Sequence, residues 1–226
     1  MSTPLSIIVP LLDEAEWMTV LLAQLQPLHQ RGCEVILVDG GSRDNTRALA
    51  LVSGFTVRSA RRGRARQMNA GAACATGRVL LFLHADTTLP ADADALVGEA
   101  LQSPERIWGR FDVRIEGRSR LLPVVAWFIN RRSRWMGIAT GDQAIFVRRS
   151  HFEVLGGFPD QDLMEDVELS ARLRRRAWPV CLRQRVITSG RRWDRHGAVR
   201  TILLMWRLRF AYWLGASPRD LARLYR

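Results

Sequence analysis

The chain has 226 residues, 47% of them hydrophobic, and a formal net charge of +12 at pH 7; that suits one α/β domain with a sizeable core and a short appendage. Its three cysteines, at 33, 74 and 181, form no C-x-x-C pair, which argues against a disulfide framework or a zinc knuckle and for a reducing compartment. Every basic residue is Arg, a composition drawn to phosphorylated substrates, anionic lipid or nucleic acid, but there is no helix-turn-helix, OB-like or RNP pattern, no apolar run of the ~18–20 residues that span a membrane and no leader-like start.

Leu5–Leu12 reads as a strand with Pro10 near its carboxyl end, where a missing N–H is tolerated. Asp13, Glu14 and Glu16 precede a helical pattern over Trp17–His29, and Glu14 reads equally well as a first-turn helix charge. Glu34–Val38 is a second buried strand, running into Asp39-Gly40-Gly41-Ser42-Arg43-Asp44-Asn45-Thr46 and a helix over Thr46–Ser53. Gly permits close backbone approach there, Ser42 or Asp44 can cap the helix, and Asp39 sits where an acceptor can read a base or ribose. The loop lacks the G-K-[ST] of a phosphate loop and the G-x-G-x-x-G of a dinucleotide fold. Phe55–Val57 is a short third strand. Arg64–Asn69, with Gln67 and Asn69 joining the arginines, is expected to be a phosphate-facing loop feeding a helix; Arg61 and Arg62 read as a solvated basic loop.

Val79–Leu83 is an unbroken apolar run, as suits a strand buried on both faces of a parallel sheet. His84, Ala85 and Asp86 emerge at its carboxyl end, where open α/β sheets bind ligands. Asp86 there suits either a hard cation held against a diphosphate or a solvated turn before Pro90. A helix over Ala91–Leu101 completes a β-α alternation that implies a parallel sheet with right-handed crossovers.

From Ile107 the texture changes. Trp108–Gly117 alternates like a strand, with Arg110, Asp112 and Arg114 on one face and Phe111, Val113 and Ile115 on the other. Leu121–Asn130 is a short apolar helix among arginines, Ala144–Val147 a strand, Phe152–Phe158 a short helix ending on a Gly pair, and Val180–Val186 a late strand. Asp142 and Gln143 open the strand at 144 and, with Trp108, are candidates for holding a sugar or acceptor; a plain turn is the alternative at 142–143. Glu165-Asp166-x-Glu168 opens a helix to about Arg176; adjacent carboxylates raise the pKa of one of them. Val199–Leu214 is helical, with Ile202, Leu203, Trp206, Phe210, Trp213 and Leu214 on one face and Leu204 and Leu208 opposite. It can pack on the domain, lie in an anionic membrane interface, or pair protomers into a homodimer.

In sum these pieces resemble a family-2 glycosyltransferase of GT-A fold over most of the first 190 residues: Pro10 with Glu14; Asp39-Gly40-Gly41-Ser42 with Asp44 and Thr46; Asn69-x-Gly71; Phe82-Leu83-x-Ala85-Asp86; Gly156-Gly157-Phe158; Glu165-Asp166. Gly63–Asn69 and His84–Thr87 resemble, more narrowly, a small bacterial subgroup associated with radical-SAM proteins. The resemblance implies a nucleotide-binding half (1–105), an acceptor and catalytic-base half (106–197) and a C-terminal amphipathic segment (198–226). It implies an inverting transfer of one sugar from a UDP- or GDP-linked donor, with Asp166 as general base beside Glu165. Pro10, Leu11, Glu14, Asp39, Gly41, Arg64, Gln67, Asn69, His84 and Ala85 would line the nucleotide, and Asp86 would hold Mn²⁺ or Mg²⁺, joined by His196 if that is not a surface histidine. The chain departs from the pattern where His84 replaces the first Asp of D-x-D, where Met68 stands in place of an Arg, and in lacking the Q-x-x-R-W of polymerising relatives, which argues for single transfer. The expected setting is cytoplasmic, at the inner membrane face, with a lipid-linked acceptor and no nucleic-acid partner. A nucleotidyltransferase and a non-catalytic phosphate- or nucleic-acid-binding module are the competing readings.

Overall fold

The computed structural model describes residues 4–225. One eight-stranded sheet, in the order β3-β2-β1-β4-β7-β6-β8-β5, organises them. Strands β1 (Leu5–Leu11), β2 (Glu34–Asp39), β3 (Thr56–Ser59) and β4 (Val79–Phe82) are mutually parallel. β7 (Phe146–Arg148) adds antiparallel to β4, and β6 (Trp108–Glu116) antiparallel to β7. β8 (Val180–Ser189) runs parallel to β6 and carries the two-residue β5 (Thr87–Thr88) on its far side.

The alternation of the first strands explains both layers. Ile7, Val9, Leu11, Leu37 and Leu81 face one core with Met18, Leu21 and Leu25 of α1 (Ala15–Gln30) and Val97 of α4 (Ala93–Ala100). Ile8, Ile36, Val38, Leu80 and Phe82 face the other, with Ala65, Met68 and Ala72 of α3 (Arg64–Cys74) and Leu169 and Leu173 of α7 (Glu165–Arg174). Each fully buried Leu or Ile contributes about 1.5–3 kcal/mol. Gly71 lets α3 lie directly on β1, since a Cβ there would stand 2.5 Å from Ile8 Cγ2. The loops at the carboxyl ends of β1, β2 and β4 are thereby gathered along one edge.

Two expectations need correction. Arg64–Asn69 is not a loop: Gly63, at φ 136°, breaks the chain, and the helix begins at Arg64 itself. On the charged face of β6, Arg114 is exposed, but Arg110 and Asp112 are buried beneath α5 (Leu122–Met136) and pair with one another, while Asp112 also accepts from Arg134 at 2.8 Å. α5 outruns Asn130 because the stop comes at left-handed Gly137. A short helix not read from the sequence, α8 (Arg191–His196), follows β8. Between β7 and α7 lies α6 (Arg149–Val154); α2 (Thr46–Leu51) follows the Asp39 loop.

The C-terminal α9 (Ala198–Trp213) and α10 (Pro218–Tyr225) pack back onto the domain. Leu208 and Leu221 join Leu163 and Met164, just ahead of α7, in a third apolar cluster. So α9 packs through the Leu204 and Leu208 side and leaves Leu203, Trp206, Phe210, Trp213 and Leu214 exposed.

Candidate active site

The loops after β1 and β2 are knitted together. The Asp39 carboxylate is buried and accepts from Gly41 N, Ser42 N and the Ser42 hydroxyl, all within its own turn. Gly41 makes this turn at φ 89°. Thr46 Oγ1 accepts from Glu14 N at 2.8 Å, and Asp44 from Ala15 N at 3.1 Å, so the start of α1 is fixed on the β2–α2 loop. Pro10, Leu11 and Ala85 are buried at the strand ends beneath.

Beside this floor, Arg191 of α8 joins three carboxylates. Its guanidinium donates to both Glu14 oxygens at 2.9 Å and to Glu16 at 3.0 Å, lies 3.5 Å from Asp86 and stands over the Trp17 ring. Burial, only partly offset by Arg191, raises the pKa of Glu14. Asp86 has the longest of these contacts and is the least committed of the three.

A second cluster forms where β4, the turn Gly141–Gln143 and α7 meet. Met164 in a left-handed conformation (φ 65°) turns the chain so that Glu165 and Asp166 open α7, where the helix dipole favours negative charge. Asp166 is fixed by two backbone amides: Gly141 N donates to Oδ2 and Val167 N to Oδ1, each at 2.7 Å. Glu165 is buried against Arg64 at 2.9 Å. Burial, aided by nearby Asp166 and outweighing Arg64, raises its pKa.

His84 Nδ1 stands 3.4 Å from Asp142. Burial opposes charge on this imidazole, but the Asp142 partner prevails and holds its pKa above the usual histidine value. Asp142 keeps 48% of its side chain exposed, so water screens the pair. Only Gly fits at 141, because a Cβ there would lie 2.4 Å from His84 Nε2. A cavity of about 10 Å³, lined by Met68, Phe82, His84, Gly141, Glu165 and Asp166 among others, lies at the centre and has room for about one water.

The structure thus brings together Glu14, Asp39, Arg64, His84, Asp86, Asp142, Glu165 and Asp166. It does not bring in several other candidates. Gln67 is buried and donates to the carbonyls of Leu11 and Val38, clamping β1 to β2. Asn69 spends both ends of its amide on the Phe158 backbone, at 2.8 and 2.9 Å. Trp108 is fully buried, with Nε1 donating to Ala177 O. Gln143 is fully buried too, holding the Thr140 turn and Ser133. Asn69, Trp108 and Gln143 thus spend side-chain polar atoms on backbone or buried partners, and Gln67 its amide nitrogen. His196 ends exposed on α8, and among the described residues no three His, Cys, Asp or Glu side chains converge as a metal-binding group. A divalent cation could be held here in the manner of Mg²⁺, by one or two carboxylates together with substrate phosphates, and Asp86 could supply one of them.

Sequence reasoning missed four residues. Arg191 showed only as part of an Arg-Arg-Trp run. Arg132, Arg209 and Tyr225 had no local signal in a chain whose every base is Arg. Yet Arg64, Asp142 and Asp166 all lie within Coulombic reach of Tyr225, whose pKa is raised chiefly by burial. Arg192 stacks on the Tyr225 ring, so α10 closes over the cluster.

A mixed sheet with a nucleotide-binding parallel half, and carboxylates at its strand ends, is the GT-A fold of nucleotide-sugar transferases. The sequence profile of glycosyl transferase family 2 matches residues 6–155, and the chain belongs to that family. Solved structures share the fold. A mannosyltransferase from Pyrobaculum calidifontis in complex with GDP-Man and Mn²⁺ is similar at 20% identity and a TM-score of 0.67, over 100% of this chain and 69% of that one. Glucosyl-3-phosphoglycerate synthase from Mycobacterium tuberculosis with Mn²⁺, UDP and glucosyl-3-phosphoglycerate aligns at 19% identity and 0.60, over 82% and 71%. Residues 1–349 of S. aureus TarS with UDP-GlcNAc align at 14% and 0.65, over 83% of this chain and 58% of that segment. No curated protein matches the chain.

Proposed function

We propose that this glycosyltransferase is inverting: it moves one sugar from a UDP- or GDP-linked donor to an acceptor hydroxyl, with Asp166 as general base. The observation that carries the assignment is the placement of Asp166. Its carboxylate is pinned by two backbone amides at the cavity shared with His84, at the end of β4. An inverting transfer needs a base within hydrogen-bond reach of the attacking hydroxyl. As the acceptor oxygen bonds to the anomeric carbon, the bond from that carbon to the donor phosphate breaks and the nucleoside diphosphate leaves with the electron pair. The acceptor proton passes to Asp166. Arg64 and Glu165 hold the helix that carries this base. A divalent cation at Asp86 would neutralise charge on the leaving diphosphate. The Mn²⁺, GDP-Man and UDP bound in the similar structures support the donor class.

The same reading places the acceptor at a membrane surface. Trp127, Phe128 and Trp135 on α5 and Trp206, Phe210 and Trp213 on α9 are all exposed, with arginines among them, the make-up of an interfacial helix pair. Among the described residues no helix is long and apolar enough to cross a membrane.

The test is a thermal-shift screen of UDP-, GDP- and dTDP-sugars with and without Mn²⁺, followed by Asp166→Asn. The variant is expected to bind nucleotide as the wild type does and to lose transfer by roughly 10²-fold or more, the scale of general-base contributions. Full transfer activity in Asp166→Asn sinks the base assignment.

A further inference from the structure

Two arginines near the base have no hydrogen-bond partner among the described residues. Arg132, on α5, has Nε and Nη2 enclosed without any hydrogen-bond acceptor there. Arg209, on α9, is sunk against the same region, and the negative groups acting on it, Asp166 and Asp142, do so through space. Burial first, then the nearby Arg209 charge, lowers the pKa of Arg132 to about 9. Buried N–H groups in native proteins are almost always paired, and two like charges drawn together inside a protein oppose folding. An arrangement of this kind persists at functional sites, where the missing partner is a ligand. Guanidinium groups from two helices, both rich in N–H donors, match the oxygens of a phosphate, which arginine takes bidentately.

Position decides which phosphate. The carboxylates felt by this pair are Asp166 and Asp142. Glu14, Glu16 and Asp86, at the nucleotide-binding edge, belong to Arg191 instead. The pair therefore lies on the base side of the centre, and α5 and α9 both turn aromatic faces outward there.

Building on the transferase reading above, we propose that Arg132 and Arg209 form a phosphate-binding site for the acceptor, so that the sugar is transferred to a molecule carrying a phosphate monoester close to its reactive hydroxyl or as the nucleophile itself. The phosphate can belong to a lipid or to a soluble ester; the chemistry of recognition is the same.

The experiment uses the full chain, with Arg132→Gln, Arg209→Gln and the charge-keeping Arg132→Lys. Inorganic phosphate, glycerol 3-phosphate and phosphatidylcholine vesicles doped with a polyprenyl monophosphate are titrated by calorimetry or flotation, and UDP and GDP serve as the donor-side control. Each Gln variant is expected to weaken phosphate binding by about tenfold or more, in line with a lost charge-assisted bidentate contact, with Arg132→Lys between it and the wild type and UDP and GDP affinity unmoved. Arg132→Gln is also expected to melt no lower than the wild type, since it removes an unpaired buried charge; a large drop in melting temperature in both Gln variants would mean a structural role and overturn the site. Unchanged phosphate affinity overturns it as well. Parallel loss of UDP and GDP affinity puts the pair on the donor diphosphate and overturns it too. Preference for doped vesicles assigns a lipid acceptor, and equal or better binding of glycerol 3-phosphate a soluble one. Wild-type protein that binds phosphate through this pair but no nucleotide sugar would refute the transferase reading and leave the site standing; the converse refutes the site alone.

Discussion

Replacing Arg64 by Met tests whether the base-bearing helix is anchored by charge. The Arg64–Glu165 contact is 2.9 Å, with Glu165 2% and Arg64 39% exposed. Glu165 Oε2 has no hydrogen-bond partner among the described residues, so the variant leaves a carboxylate buried and uncompensated. Breaking a fully buried pair costs about 3–5 kcal/mol; water reaching Arg64 lowers this to about 2–3 kcal/mol, or roughly 4–12 °C in melting temperature at this chain length. The loss should depend on pH. Glu165 already has a raised pKa in the folded protein, so its folded form binds a proton more readily than its unfolded form. Its contribution is fully present below the unfolded pKa and is lost as pH rises through the folded one. Without Arg64 the folded pKa climbs further, so variant and wild type should be nearest in stability at acidic pH and diverge toward neutrality. The assay is thermal denaturation of wild type, Arg64→Met, Glu165→Gln and the double variant at pH 5 and pH 8. The double variant should recover most of the lost stability. A shift below ~1 °C in Arg64→Met, or a double variant no better than the single, would show that the pair is not the anchor.

Asn69→Ala should cost about 2–4 kcal/mol, because it strands the N–H and C=O of Phe158, while nucleotide affinity measured by calorimetry stays unchanged; an unaltered melting curve with weakened nucleotide binding would reinstate Asn69 as a donor ligand. Replacing Trp206 and Trp213 by Ser should lower sedimentation with anionic vesicles by about tenfold or more without changing the melting temperature, since these side chains are 68% and 78% exposed. Unchanged sedimentation would leave the aromatic face to a protein partner such as a second copy.

The parallel half was legible because its signals are local. Unbroken apolar runs bounded by Gly and Asp mark β1, β2 and β4, and the acidic opening of α7 sits where Asp166 was expected. What the sequence concealed is long-range. Gln67 and Asn69 lie among arginines and look like ligands, but their partners are backbone groups 29 to 89 residues away. The alternation of β6 put Arg110 and Asp112 on one face but could not show that α5 covers them, which makes them a buried pair. Trp108 and Gln143 mark the same limit, since a polar atom near a site reads the same whether water or the core receives it. His84 was identified as the departure from the family pattern, and the structure gives it a partner, Asp142, that sequence spacing could not supply.

The Arg191 junction also has a bearing on synthesis. Its hydrogen bonds to Glu14 span 177 positions, and Asp86 precedes it by more than a hundred (191 − 86 = 105). At roughly 5–20 residues per second, a nascent chain presents Glu14, Glu16 and Asp86 for on the order of 5–20 s before their counter-charge leaves the ribosome. Through that interval these carboxylates lack the partner that the folded chain gives them; the junction that ties the start of α1 to the end of β4 waits on the synthesis of one guanidinium.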